Sequence, residues 1–195
     1  HWSNIHRYPR EGYSLGEMTP AQREKAFALL RASLSLRGFE QARDVMRLNH
    51  TVGEMTANAK DYSDLHYWFS VFGTPSDTEP WGWQIDGHHL AIYCFILGDQ
   101  LVMTPCFMGS EPVVADAGKY QGTRVLEAEE RLGQALMQAL DGDQRREAII
   151  APAIPFDTFA SCFTDNYRQP RKGVRYADMN EAQQQRLVDL VELYV

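Results

Sequence analysis

A chain of 195 residues with 44% hydrophobic residues is long enough to bury its own core, as one domain or slightly more. Its net charge of −7 and the lack of any basic run exclude a nucleic-acid-binding surface. No window of about 18 consecutive apolar residues occurs, so we expect no membrane span.

The chain begins with an irregular aromatic arm, residues 1–17, which we expect to pack across the body of the protein. His1 is not a natural first residue, so we expect a processed or truncated chain. We therefore expect a soluble protein that is secreted or periplasmic after processing.

Two helices follow the arm. Thr19 and Gln22 have the spacing of a capping box with Pro20 at the first helical position, which predicts a helix to about Ser35. Gly38 is expected to break it, and a second helix is predicted over residues 39–55.

Four segments rich in β-branched and aromatic residues then predict an antiparallel meander of three to four strands. Their ranges are 67–72, 81–85, 88–97 and 100–107. With several helices packed on the sheet, the predicted fold class is α+β.

The strand at 88–97 is apolar on both of its faces, so we expect Leu90, Ile92, Tyr93 and Phe95 all to be buried. On a regular strand, neighbouring side chains point to opposite faces. The pair His88–His89 would then reach one common site only if a bulge at the preceding glycine re-aimed one ring.

Further helices are predicted over residues 123–140, 144–150 and 182–194, with caps at Thr123, Asp141 and Asn180. Residues 15–22 and 176–183 have similar sequences, each before a helix. This internal sequence similarity predicts a single domain over residues 1–175 and the start of a second, repeat-like unit over residues 176–195. Two similar helix caps that arose independently are the alternative.

The histidines near the sheet suggest a metal site. Neutral imidazoles with a carboxylate partner commonly bind first-row metals, so His88, His89 and His66 are candidate ligands for a divalent transition metal. In this hypothesis His88 or His89 is a ligand or general base, and Asp86 is the orienting carboxylate. No HxH or HExxH spacing supports it, and histidines held by hydrogen bonds inside an aromatic core are the alternative.

The aromatic residues around these histidines suggest a ligand surface. Trp81, Trp83 and Tyr93, with His66 beside them, are candidates for binding a small-molecule substrate or ligand. Packing within the core is the alternative role for the same residues. The three cysteines show no CxxC spacing, and we interpret Cys94, Cys106 and Cys162 as small buried hydrophobic residues.

Several segments together resemble the bacterial and fungal "domain of unknown function 3500" family. They are residues 18–22, 69–76, 81–83, 87–90, 103–112 and 125–130. The resemblance covers nearly the whole chain, and it implies no particular activity. It also implies that related chains are often longer, with a second half that contains further histidines. We therefore expect His88 and His89 to be part of a site shared with such a half, or the chain to form a homo-oligomer.

Two functions stay open on the sequence. The first is a metal-dependent enzyme whose site includes Asp86, His88 and His89. The second is a non-catalytic binding or assembly module in which the histidines are structural and the aromatic residues form the binding surface.

Overall fold

The computed structural model describes residues 2–154, 164 and 166–194. The chain divides into two compact units, His1–Val125 and Leu126–Val195. The assignment of residues 1–175 to a single domain stays a prediction. No helix in the described part of the chain is long and apolar enough to cross a membrane.

The first unit contains two helices, α1 (Pro20–Ser33) and α2 (Leu36–Met55). The predicted capping box at the start of α1 is present, because the Thr19 side chain accepts from the backbone of Gln22 and the Gln22 side chain accepts from the backbone of Thr19. The predicted break at Gly38 is wrong. Ser35 caps α2 instead, with its side chain accepting from the backbone N–H of Gly38, so this glycine lies in the first turn of α2.

The sheet is an antiparallel meander in the order β1-β2-β3-β4-β5. Its strands are Tyr13–Ser14, Tyr67–Phe72, Trp81–Gly87, Leu90–Leu97 and Gln100–Met108. The α+β class is confirmed, with a short β1 from the N-terminal arm added to the predicted strands. Gly87 pairs with Leu90 in regular register, so the bulge that a site shared by both histidines would require there is not observed; the irregularity of the sheet lies between Ile92 and Cys94, where β4 pairs with β5.

The two faces of the sheet differ in chemistry. The helix face carries the buried side chains of Tyr67, Phe69, Trp83, Ile85 and Ile92, which form the core with the inward residues of α2. This burial follows from strand alternation, because alternate residues of β2, β3 and β4 are apolar.

The opposite face, which we call the arm face, is only partly covered. At one end of the strands, Asp86 is buried beneath the N-terminal arm, from which Arg10 donates to its carboxylate. Toward the other end of the strands, Phe95 is 49% exposed. The prediction that both faces of β4 are covered is therefore wrong for this end, although Leu90 and Ile92 are buried as expected.

The second unit consists of α3 (Glu127–Ala139), α4 (Gly142–Ala148), a short 3-10 helix (Tyr176–Asp178) and α5 (Glu181–Val191). The predicted caps Asp141 and Asn180 are confirmed, each completing a capping box with a glutamine. The predicted cap of α3 is wrong, because that helix begins after Leu126 without a side-chain cap.

Helix α5 packs against α3 within this unit. The two capping-box glutamines, Gln144 and Gln183, also exchange side-chain hydrogen bonds of 3.1 and 2.8 Å, which join the starts of α4 and α5. Duplication of the helix-capping segment, oligomer formation and contact with a further half all stay predictions.

The cysteine prediction is correct for Cys94, which is buried, and wrong for Cys106, which is exposed on the edge strand β5. Both thiols are free. Cys162 lies outside the described residues.

Candidate functional site

The two adjacent histidines form the turn between β3 and β4. Gly87 pairs with Leu90, so His88 and His89 are the two residues of a tight hairpin loop. His89 has a φ of 58°, in the left-handed region, which aims its ring differently from that of a strand residue. The two rings stack with centroids 4.0 Å apart. The expectation that they point to opposite faces is therefore wrong, because neither belongs to a strand.

A glycine is required immediately before this turn. A Cβ atom on Gly87 would lie 2.1 Å from the ring of Tyr67, which is far inside van der Waals contact. The hydroxyl of Tyr67 in turn donates to the backbone carbonyl of His88 at 3.0 Å. The ring of Tyr67 thus supports the histidine turn from the neighbouring strand.

The tautomer of His88 follows from its hydrogen bonds. Asn49 on α2 donates from Nδ2 to the carbonyl of Ser63 at 2.8 Å, so its Oδ1 atom faces the histidine. His88 Nδ1 lies 2.8 Å from that oxygen and must donate to it. Its Nε2 atom therefore carries the lone pair when the ring is neutral.

Burial keeps the histidines of this region neutral. It lowers the pKa of His88 to about 3, with smaller contributions from His89, His6 and Arg10. Burial also lowers the pKa of His89 and that of His6. The phenol of Tyr62 completes the group, with its ring 4.5 Å from that of His6 and 5.5 Å from that of His88.

Asp86 does not orient a histidine. Its Oδ1 atom accepts from Arg10 Nε at 2.9 Å, and its Oδ2 atom accepts from the hydroxyl of Tyr93 at 3.2 Å. The expected role of Asp86 beside His88 is therefore not observed, and Asn49 occupies that position instead. Burial raises the pKa of Asp86, while the attraction of Arg10 opposes the rise.

Arg10 fixes the N-terminal arm through the same guanidinium. Besides Asp86, it donates to the backbone carbonyls of Ser3, Ile5, His6 and Tyr8 at 2.7 to 3.3 Å. The buried guanidinium of Arg10 therefore binds several backbone carbonyls of the arm and holds the arm against the sheet.

The predicted metal ligands do not converge. No cluster of three or more His, Cys, Asp or Glu side chains in the described residues is arranged to hold a metal ion. His66 lies apart, with its Nδ1 atom 3.4 Å from the carbonyl of Asp61. The lone pairs of His88 and His89 lie in two nearly parallel ring planes, so they do not point to one shared position.

Three of the four predicted ligand-binding residues line one cavity, although strand alternation puts the side chain of Trp83 on the helix face, where it is 1% exposed. Trp81, Trp83 and Tyr93 line one cavity of about 380 Å³. His66, the fourth residue of that prediction, does not line it. The remaining lining residues are Phe72, Gly73, Pro80, Gly82, Cys94, Phe95, Val102 and Thr104.

The cavity is a groove across the arm face of the sheet. Phe72 pairs with Gly82, Gly82 with Phe95, and Phe95 with Val102, so these four residues form one row across β2, β3, β4 and β5. Gly82 has no side chain, and a Cβ atom there would lie 2.6 Å from the carbonyl oxygen of Cys94. The groove over Gly82 therefore has aromatic walls on two sides and backbone as its floor.

The family model described as "Protein of unknown function (DUF3500)" matches residues 1–195. The chain belongs to the DUF3500 family. The resemblance inferred from the tryptophan and histidine segments of β3 and its turn is thereby confirmed. No curated protein and no solved structure matches the chain at a significant level.

The sequence interpretation of this DUF3500 chain missed three features of the site. Arg10 and Asn49 are far from the hairpin in sequence, and only the tertiary fold brings them to Asp86 and His88. Phe72 and Phe95 were assigned to strands without a role in binding. The pairing of β3 with β2 on one side and with β4 on the other, which places both phenylalanines opposite Gly82, was the signal available for them.

A second polar network lies around His50 of α2. Its Nδ1 atom is 3.4 Å from Asp64 and its Nε2 atom 3.5 Å from Glu54. Asp64 also binds Lys119 at 3.2 Å and accepts from the hydroxyl of Tyr120. These contacts anchor the segment after β5 to α2, and they give His50 a structural environment.

Proposed function

We propose that this chain is a binding module, and that the groove over Gly82 holds a flat aromatic ring of a small-molecule ligand. The observation that carries the proposal is the pair of half-exposed rings, Phe72 and Phe95, on either side of a residue without a side chain. Large aromatic side chains are usually buried, and exposed ones beside a concave apolar surface are typical of binding sites.

The spacing of the walls suits one inserted ring. Phe72 and Phe95 lie on β2 and β4, which are separated by two strand spacings, or about 9.5 Å. Stacked or tilted aromatic rings have centroids from about 4.5 Å apart, so a third ring between the two phenylalanines fits this separation. A cavity of about 380 Å³ is within the size range of small-ligand pockets.

The polar groups of the groove indicate where a ligand gains specificity. Tyr93 donates its hydroxyl to Asp86, so its ring forms a fixed end wall. Thr104 lies at the edge strand and offers a hydroxyl that can donate or accept a hydrogen bond. A phenol or a similar ring with one polar substituent matches this combination of apolar walls and a single hydroxyl.

The histidines have a structural role in this proposal. His88 is held by Asn49, stacked on His89 and kept neutral by burial. The backbone carbonyl of His89 accepts from the N–H of Gly109, and the N–H of His89 donates to the carbonyl of Asn4. The bonds to Asn49, Gly109 and Asn4 each join the hairpin turn to another segment. The turn therefore fixes the arm and the sheet together at the end away from the groove.

Titration with p-cresol, followed by protein NMR, tests the binding module. Phe95→Ala should weaken p-cresol binding about tenfold, because it removes one ring contact and the area that this contact covers. Leu101→Ala is the matched control, since Leu101 is a similarly exposed side chain of β5 that does not line the groove. Equal affinities in both variants would contradict the proposal.

A metal-dependent enzyme is the second candidate, and one observation favours it. The Nδ1–H of His88 is held by an oxygen atom of Asn49, which is the arrangement that orients metal-binding histidines through Nε2. In this candidate His88 is the first ligand of a divalent transition metal. Asp86 has no part in it, because its oxygens bind Arg10 and Tyr93.

A further inference from the structure

The two helices of the first unit carry a reciprocal pair of arginine–phenylalanine contacts. Arg31 of α1 lies 4.5 Å over the ring of Phe39 of α2. Arg43 of α2 lies 3.8 Å over the ring of Phe27 of α1. Residues 27 and 31 are four apart on one helix, and 39 and 43 are four apart on the other, so both pairs share one helix–helix groove.

The two guanidinium groups have no ionic partner in the described residues. Arg7, Arg10 and Arg47 bind the carboxylates of aspartates, and Arg23 binds two backbone carbonyls. Within the described part of the chain, Arg31 and Arg43 contact these rings and have no hydrogen bond or close ion pair; Asp64 and Asp44 attract Arg43 only at longer range. Ring stacking leaves the edges of a guanidinium, and hence its N–H donors, available to another acceptor.

Both groups line one cavity of about 480 Å³ between the helices, together with Phe27, Phe39, Glu40, Asp44 and Arg47. The carboxylate of Asp44 is neutralised by Arg47 Nη1 at 2.7 Å. The charges that remain are those of Arg31, Arg43 and Glu40, with a positive balance of one. This cavity is positive in a protein whose net charge is −7.

We propose that Arg31 and Arg43 form a binding site for an oxyanion, a phosphate or a carboxylate, in the groove between α1 and α2. Each arginine presents a planar fork of donors that matches two oxygens of such a group. The phenylalanine rings hold both forks in place before the anion arrives, so little side-chain entropy is lost on binding. Arg43 is half-buried, and burial together with Arg47 lowers its pKa, which an anion would offset.

The site is independent of the groove over Gly82, because no residue lines both cavities. Binding of an oxyanion here would therefore continue in variants that lose p-cresol binding. The two sites can therefore be filled by two separate ligands, and the proposal does not need one ligand that reaches both.

Titration of the whole chain with inorganic phosphate tests the site, with the arginine Nε–Hε signals followed by NMR. The signals of Arg31 and Arg43 should shift and saturate, while that of Arg37, on the same helix as Arg43, should not. Arg43→Lys keeps the charge but removes the fork, and should weaken phosphate binding about tenfold. Arg37→Gln is the control: it removes a full positive charge from the same helix, yet it should leave the affinity for phosphate within about twofold.

One further variant and one further ligand test the site in more detail. Glu40→Gln should strengthen phosphate binding, because it removes the one uncompensated carboxylate of the cavity. Titration with acetate separates the two ligand classes: tighter phosphate binding indicates a phosphoryl group, and equal or tighter acetate binding indicates a carboxylate. Shifts that do not saturate, or an equal loss of affinity in Arg37→Gln, would overturn the proposal.

Discussion

Arg10 and Asp86 form a salt bridge of 2.9 Å whose two side chains are only 1% and 3% exposed. They are 76 residues apart in sequence, and their contact closes the N-terminal arm over the sheet. A buried ion pair stabilises a fold only when its remaining donors and acceptors are satisfied. Here the other donors of Arg10 bind backbone carbonyls, and the second oxygen of Asp86 binds Tyr93.

Removal of one partner should therefore be costly. We expect Arg10→Ala to lower the free energy of unfolding by about 3–5 kcal/mol, because it leaves the Asp86 carboxylate buried without a counterion. Arg7→Ala, which breaks the exposed pair of Arg7 and Asp61, should cost less than about 1 kcal/mol. Urea unfolding measures both variants, and similar losses in the two would contradict the role given to Arg10.

The two faces of β4 should respond differently to truncation. Ile92 is fully buried on the helix face, so Ile92→Ala should cost about 2–5 kcal/mol of unfolding free energy. Phe95 is half-exposed on the arm face, so Phe95→Ala should cost clearly less than that. Thermal or urea unfolding distinguishes the two. A cost for Phe95→Ala as large as that for Ile92→Ala would mean that the groove is closed.

The histidine turn makes stability depend on pH. The pKa values of His6, His88 and His89 are lowered in the folded protein, that of His88 to about 3. Because the unfolded chain binds more protons below its histidine pKa near 6.5, this stability is complete above that pH and is lost as the pH falls.

Between pH 6.5 and 5 we expect His88 to lower the free energy of unfolding by up to about 1.4 kcal/mol per pH unit, and His6 and His89 contribute in the same direction. Asp86, whose pKa is raised by burial, contributes in the opposite direction. The measurement is urea unfolding across this interval in the wild type and in His88→Gln, whose slope should be smaller. An unchanged slope would show that His88 is not held neutral.

The hydrogen bond between Asn49 and His88 predicts one tautomer. At pH 7 the ¹⁵N spectrum should show His88 protonated at Nδ1 and unprotonated at Nε2. Asn49→Ala removes the acceptor and should produce a mixture of tautomers. An Nε2-protonated ring in the wild type would contradict the hydrogen-bond network and also the metal candidate, which needs that nitrogen free.

Metal uptake separates the two candidate functions. The binding module predicts that the purified chain takes up no zinc or nickel in a saturable way, because no three ligands converge in the described residues. Saturable uptake that is lost in His88→Ala, with the fold intact by circular dichroism, would favour the metal-dependent enzyme. His50→Ala serves as a control histidine outside the turn.

The sequence predicted the fold class, the meander and three of the four helix caps because those follow from local patterns. The positions of Thr19, Asp141 and Asn180 before their glutamines are examples. The choice of site residues stays a prediction. Trp81 and Tyr93 line one cavity, but strand pairing does not explain it, because Trp81 pairs with Ile96 and Tyr93 with Gln84.

The geometry of the histidines was not predictable in the same way. A two-residue turn at His88 and His89 requires a left-handed residue, which sequence patterns place at Gly or Asn more often than at His. The partners of Asp86 and His88 come from the arm and from α2. Such long-range contacts depend on how the elements pack, and no local pattern specifies them.

The groove over Gly82 is tested most directly by the position of a bound ring. In the complex of the whole chain with p-cresol, intermolecular NOEs should link the ring protons of p-cresol to the methyl groups of Val102 and to the rings of Phe72 and Phe95. Cyclohexylmethanol, which is similar in size but not flat, should bind more weakly. NOEs to other surfaces, or no saturable p-cresol binding at all, would contradict the assignment of this groove as a ligand site.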